Sequence, residues 1–146
     1  MPEQKTYLGS IVVFYKTIDR DTSYLVVQNT DTWNISFVSG AKEEKDISLQ
    51  DTAKREVWEE LRIDPSLYVL KETAIKHEFV FGPNKKERAW CSWSYTVFIA
   101  DGIWLWTIHP SKELKSAVWM TAEQVLDALS FDDLKQVFRM LSSYVI

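Results

Sequence analysis

Glycine is scarce in this chain of 146 residues. There are four, Gly9, Gly40, Gly82 and Gly102, and no two are closer than twenty positions. No Gly-x-Gly exists, which excludes the glycine-rich dinucleotide fingerprint and the P-loop, both of which need clustered glycines for close backbone approach to phosphate. If the protein handles phosphate, it does so with metal ions or side chains. The single cysteine, Cys91, cannot form an internal disulfide, so a reducing, cytoplasmic setting is the expectation. With two histidines, His77 and His109, and no Cys/His cluster, a zinc site of the usual kind is not expected. Long apolar runs are absent too. Ile11 to Tyr15 is too short for a signal peptide, and nothing approaches the roughly 18 residues of a membrane span, so no membrane partner is expected. There is no basic excess: 17 Lys and Arg against 21 Asp and Glu leave −4. The small group Lys85, Lys86 and Arg88 is no stripe, and nucleic acid is an unlikely partner on this charge.

What is present is an ordinary globular mixture, 46% hydrophobic and 26% charged, with no linker or repeat to divide it, so one domain over residues 1–146 is expected. Ile11 to Lys16 and Tyr24 to Gln28 read as strands around a turn over Thr17 to Ser23. Asn29 to Asp31 turn the chain again before a short strand over Asn34 to Val38. Leu49, Ala53, Val57 and Leu61 recur every four residues, which predicts a helix capped by Ser48, with Asp51 as its capping partner, and ending near Arg62. Two strands follow, Ala74 to Phe81 and Ala89 to Ala100. The second alternates, with Ala89, Cys91, Trp93, Tyr95, Val97 and Ile99 on one face and Arg88, Trp90, Ser92, Ser94 and Thr96 on the other, as a half-buried strand does. Ile103 to Ile108 and Ala117 to Met120 read as shorter strands. Thr121 and Gln124 form a capping box, and a last helix from Ser130 buries Leu134, Val137, Phe138 and Leu141. The order is that of a mixed α/β domain rather than a repeating βαβ unit.

Chemistry concentrates in the first helix, at Arg55-Glu56-Val57-Trp58-Glu59-Glu60. Spacings of three and four put Glu56, Glu59 and Glu60 on one face, turned from the apolar stripe. Three such carboxylates repel unless they are solvated or share a cation, and hard divalent cations take oxygen ligands together with substrate phosphates. The hexapeptide alone leaves a solvated acidic face and a metal site equally open. Glu113, six residues before Trp119, is a further acid in a later loop.

With its surroundings, this segment resembles the box of the Nudix hydrolases: Gly, five residues, Glu, seven residues, then Arg-Glu-apolar-x-Glu-Glu-x-Gly-apolar. Gly40, Asp46 and Arg55 to Ile63 fill it, with Asp46 for the first Glu, one extra residue assigned to Ile47, and Arg62 for the second Gly. A gapless alignment would instead put Ala41 on the glycine and Ile47 on the glutamate. The insertion is preferred because it keeps a glycine and a carboxylate and falls in a loop. The resemblance implies an α/β/α sandwich around a mixed sheet and attack of water on a pyrophosphate, with Mg²⁺ or Mn²⁺ as cofactor. It makes Glu56, Glu59 and Glu60 metal ligands, with Glu56 also orienting or deprotonating the water. Arg55 would hold the catalytic carboxylate and Asp46 would position that network. Gly40 would let the loop approach the metal, and Glu113 would add a ligand or base. Clustered carboxylates should raise one another's pKa values and couple metal binding to deprotonation. The lapses at Asp46 and Arg62 leave a Nudix-fold module that binds without turnover as the alternative.

Substrate class lies outside the box. Trp33 to Gly40, Lys42 to Glu44 and the Glu113 to Trp119 spacing are similar to the members that act on dihydroneopterin triphosphate. Ala117 to Leu141 is similar to the diadenosine tetraphosphate hydrolases. The expectation is a small nucleoside or pterin polyphosphate. Trp90, on the polar face of its strand with Arg88, and Trp33, beside the box loop, are candidates to stack on a heterocycle. Lys42 is a candidate phosphate contact. Trp58, off the apolar stripe, is left as an exposed edge or a homodimer interface. His77 and His109 have no evident partner in the sequence.

Overall fold

A computed structural model describes residues 6–80, 91–105 and 108–143. Seven strands form one sheet in the order β3-β2-β1-β6-β5, with β4 also on β1 and β7 also on β2. They are β1 (Thr6–Ile18), β2 (Asp21–Asn29), β3 (Ile35–Ser36), β4 (Val38–Ala41), β5 (Lys71–Val80), β6 (Ser92–Asp101) and β7 (Leu114–Thr121). The helices are α1 (Leu49–Leu61), α2 (Ala122–Ala128) and α3 (Asp132–Ser142), with a short 3₁₀ turn at Pro65–Leu67. β1 and β6 run parallel and the other pairs antiparallel, so the sheet is mixed.

β1 organises the fold. Its first half, Gly9 to Val12, pairs with β4, its second half, Tyr15 to Ile18, pairs with β2, and β6 lies along its other edge from Thr6 to Tyr15. β4 leads straight into the loop before α1, so this branching carries that loop to the middle of the sheet. The β1–β2 connection is tighter than the predicted seven-residue turn. Ile18 pairs with Asp21, and only Asp19 and Arg20 lie between, both with positive φ (51° and 73°), as a two-residue hairpin turn requires.

Alternation along the central strands sends residues to two separate cores. Ile11, Val13, Tyr24, Val26, Val97 and Ile99 pack against Val125, Leu134, Val137, Phe138 and Leu141 of α2 and α3. Val12, Phe14, Leu25, Val27, Phe98 and Ala100 pack against Ala53, Val57 and Leu61 of α1. This is the expected α/β/α sandwich. Each large side chain so buried contributes about 1.5–3 kcal/mol.

Three expectations are corrected. β6 is not half-buried throughout: Thr96 to Ala100 are all buried, because a central strand with helices on both faces has no solvent side. Ile103 to Leu105 form no strand; the Leu105 N–H bonds the Gly102 carbonyl at 3.0 Å and closes a turn. α3 starts at Asp132 with no side-chain cap, while the Ser130 hydroxyl accepts from the Ile35 N–H at 2.7 Å and ties the loop to β3. Both other caps hold. The Ser48 side chain accepts from the Asp51 N–H, and Thr121 and Gln124 make the reciprocal box. Asp51 Oδ2, however, accepts from the Ile47 N–H rather than returning to Ser48.

Candidate active site

Arg55 is the hub. Its Nε and Nη2 donate to the two oxygens of Asp46 at 3.1 and 2.9 Å, a bidentate pair. Nη2 also donates to the Ala41 carbonyl at 2.9 Å, joining α1 to the end of β4. Nη1 donates to Glu56 at 2.8 Å and Glu59 at 3.2 Å. One guanidinium thus links the loop, the strand end and two of the three glutamates.

Asp46 is buried (5% exposed), and its Oδ2 also accepts from the Glu43 N–H at 2.9 Å and the Thr52 hydroxyl at 3.0 Å. The Arg55 hydrogen bonds hold its carboxyl far below the usual range. Neither the Glu43 N–H nor the Thr52 hydroxyl was marked as a site group in the sequence, since a backbone N–H and a threonine in a helix's first turn look like many others.

Gly40 and Asp46, the residues of the preferred alignment, both stand against the glutamate network: Asp46 through Arg55 and Gly40 against Glu56. A Cβ on Gly40 would run into the Glu56 carboxyl and stand 2.6 Å from its Cγ. Ile47 is 92% exposed. A residue inserted at this point of the loop projects into solvent, which favours the alignment with Asp46 on the acidic position.

Glu56 and Glu60 are the less exposed of the three glutamates. Burial pushes the Glu56 carboxyl up to about 7, with Arg55 opposing and Glu59 and Glu113 reinforcing the rise. Burial pushes Glu60 up to about 8, helped by the charges of Glu56, Glu113 and Glu59 and partly offset by the Ser39 backbone. Glu60 Oε2 is buried and has no hydrogen-bond partner among the described residues. Crowded carboxylates with an orphaned oxygen suit a hard cation, which would take oxygen ligands and remove their repulsion. Among the described residues no three acids already stand at metal-holding spacing. Glu59 is half-exposed and drawn toward Arg55 at 3.2 Å.

Glu113 reaches this cluster through backbone bonds. The Ser111 N–H donates to the Glu60 carbonyl at 2.8 Å and the His109 N–H to the Leu61 carbonyl at 3.2 Å, satisfying the open end of α1. Arg62 closes that helix in the left-handed region (φ 57°), donating its N–H to the Trp58 carbonyl at 3.0 Å. A non-glycine residue there costs about 1 kcal/mol relative to glycine. Glu59, Arg62, Pro110, Ser111, Lys112 and Glu113 line a cleft of about 600 Å³.

On the other side of the sheet, Ile11, Phe37, Ser39, His77, Phe79, Tyr95 and Phe131 are among the residues lining a smaller pocket of about 160 Å³. Ser39 connects it to the carboxylates. His77 has a partner that the sequence hid: Nε2 lies 2.9 Å from Asp133 Oδ2, across 56 residues, at the start of α3.

Not all candidates gather here. Trp33 is 61% exposed in the turn after β2, with Lys115 Nζ 3.4 Å from its ring centroid. Lys42 is exposed, its N–H bonded to the Leu8 carbonyl at 2.8 Å. Trp58 is half-exposed with the Arg62 guanidinium 5.4 Å from its ring centroid. Cys91 is partly buried. Arg88 and Trp90 lie outside the described residues, and no helix among the described residues is long and apolar enough to cross a membrane.

Comparison with known proteins gives the family and the fold. The family model of the NUDIX domain matches residues 8–141. The chain therefore belongs to the Nudix family of pyrophosphohydrolases. Its fold is similar to a NUDIX hydrolase from Listeria monocytogenes (20% identity, 94% of this chain and 93% of that one, TM-score 0.79). It is also similar to the C. elegans Ap4A hydrolase (14%, 95% and 97%, 0.79) and to the E. coli dihydroneopterin triphosphate pyrophosphohydrolase (21%, 91% and 92%, 0.75). Among curated protein sequences nothing matches.

Proposed function

We propose that the protein hydrolyses a pyrophosphate linkage in a small nucleoside or pterin polyphosphate, with Mg²⁺ or Mn²⁺ held by Glu56, Glu59 and Glu60 beside Gly40. The observation that carries this reading is the Arg55 hub. It keeps Asp46, Glu56 and Glu59 in one network next to the orphaned oxygen of Glu60. A bound divalent ion supplies Lewis acidity and charge neutralisation for the phosphates.

The chain's own groups supply the rest. Water attacks phosphorus, its proton passes to a carboxylate, and the bridging P–O bond breaks with its electron pair going to the leaving phosphate. Glu56 suits the proton-accepting role, because a carboxyl raised to about 7 is matched to neutral pH. Arg55 fixes the orientation of Glu56, and Gly40 leaves the room that its carboxyl occupies. Glu113, on the adjoining loop, adds negative charge or a second base. The pocket bounded by Phe79, Tyr95, Phe131 and His77 is apolar and aromatic with one polar wall, which suits a planar heterocycle. Trp33, Lys42, Arg88 and Trp90 remain candidates for substrate contacts. The class of substrate named for the C. elegans and E. coli proteins lends support.

The test is a panel of nucleoside triphosphates, diadenosine polyphosphates, nucleotide sugars and dihydroneopterin triphosphate with Mg²⁺ or Mn²⁺. Turnover is expected on at least one class, falling about 10²-fold or more in Glu59→Gln and Glu60→Gln. Binding of panel members without product over long incubation would instead establish a binding module.

A further inference from the structure

We infer that Arg62 and Lys112 form a cationic end to the active site, receiving the outer phosphates of a chain of three or more and so setting preference for phosphate-chain length. This rests on the proposed pyrophosphate chemistry and extends it to the cleft between the end of α1 and the loop before β7.

Neighbouring contacts connect the parts of the site. The aromatic pocket meets the carboxylates at Ser39. Gly40 abuts Glu56, and Glu56 and Glu60 feel the charge of Glu113. Glu59 and Glu113 then share the next cleft with Arg62 and Lys112. A heterocycle at the first end and a scissile linkage over the carboxylates leave further phosphates pointing into this cleft.

Arg62 is also an expensive choice at its position. The left-handed φ of 57° favours glycine, and the family pattern has glycine there. What an arginine adds is a guanidinium, and its stacking at 5.4 Å over Trp58 holds that group at the cleft. Among the described residues neither Arg62 nor Lys112 is in an ion pair. Lys112 is anchored by its backbone, whose carbonyl accepts from the Thr30 hydroxyl at 3.0 Å, so its ammonium is not needed to hold the loop. Two cations outside any ion pair among the described residues, beside Glu59 and Glu113, suit an anion that spans both.

The experiment compares binding of inorganic tripolyphosphate and pyrophosphate, each with Mg²⁺, to wild type, Arg62→Gly, Arg62→Lys and Lys112→Gln by calorimetry. Wild type is expected to prefer tripolyphosphate. Arg62→Gly should lose about tenfold of tripolyphosphate affinity and Lys112→Gln somewhat less, with pyrophosphate binding changed little and Arg62→Lys largely restored. Arg62→Gly should melt no lower than wild type, since glycine relieves the backbone, so a loss of affinity is not a loss of fold. Unchanged preference in both variants, or equal loss for both anions, overturns the inference. Hydrolysis on the substrate panel without this discrimination refutes the cationic end alone. Discrimination without hydrolysis refutes the enzyme reading alone.

Discussion

Replacing Glu60 by Gln should make the metal-free protein more stable at alkaline pH while abolishing its use of metal. In the folded state burial and the charges of Glu56 and Glu113 raise the Glu60 carboxyl from 4.5 to about 8. The folded protein therefore binds a proton that the unfolded chain releases near its ordinary pKa. Stability is complete below about pH 4.5 and falls as pH rises toward 8. At about 1.4 kcal/mol per pH unit the ceiling is roughly 5 kcal/mol. Glu56 and Glu60 repel each other, so neutralising one relieves the other, and a gain of about 2–3 kcal/mol at pH 9 is the working value. Chemical denaturation in EDTA from pH 5 to 9 measures it. Wild type should weaken with pH, Glu60→Gln should weaken less, and the two should converge near pH 5. Adding Mg²⁺ at pH 9 should restore wild type by mass action and leave the variant nearly unmoved. A flat wild-type profile in EDTA, or a variant no more stable at pH 9, would refute the reasoning that these acids are held in unfavourable proximity for an absent cation.

Asp46→Asn should behave oppositely: Asp46 is ionised well below the usual range, so its contribution is present above about pH 4 and lost only toward strong acid. Stability should drop by about 3 kcal/mol, evenly across pH 5–9, in the same denaturation series. Gly40→Ala drives a methyl into Glu56; kcat should fall about 10²-fold with cooperative melting retained, and steady-state kinetics on the best panel substrate decides it. Thr121→Ala removes one half of the α2 capping box and should cost about 1 kcal/mol in denaturation with kcat/KM unchanged, because Thr121 lies outside the site.

Much of the fold was legible because periodicity records burial directly. The four-residue stripe of α1 is buried at Ala53, Val57 and Leu61, and the Thr121–Gln124 box starts α2 where expected. What misled was apolarity without partners. Ile103 to Leu105 is apolar and branched enough for a strand, but Gly102 turns the chain beneath Trp119, and a Cβ there would stand 2.6 Å from that ring. The face of β6 that reads as polar up to Thr96 continues into Phe98 and Ala100, and only the position of β6 between β1 and β5 explains why both faces are covered there. Such facts are properties of the sheet order, which no local pattern carries.

In the candidate site, residues legible in the sequence are those one helix presents together; the rest depend on distant pairing. Glu56, Glu59 and Glu60 needed only helical spacing, and Arg55 needed one more turn. The two departures from the family box turn out to be physically different. Asp46 is a shorter acid after which the chain carries one extra residue. The Glu43 N–H, the Thr52 hydroxyl and a bidentate Arg55 hold it, while the extra residue, Ile47, projects into water. That substitution preserves the network by moving backbone into a loop, where length is cheap. Arg62 has no such compensation: its φ remains one that glycine would adopt without cost. A residue that violates its local preference and places a charge beside the acids, outside any ion pair among the described residues, is better explained by what the site holds than by what the helix needs.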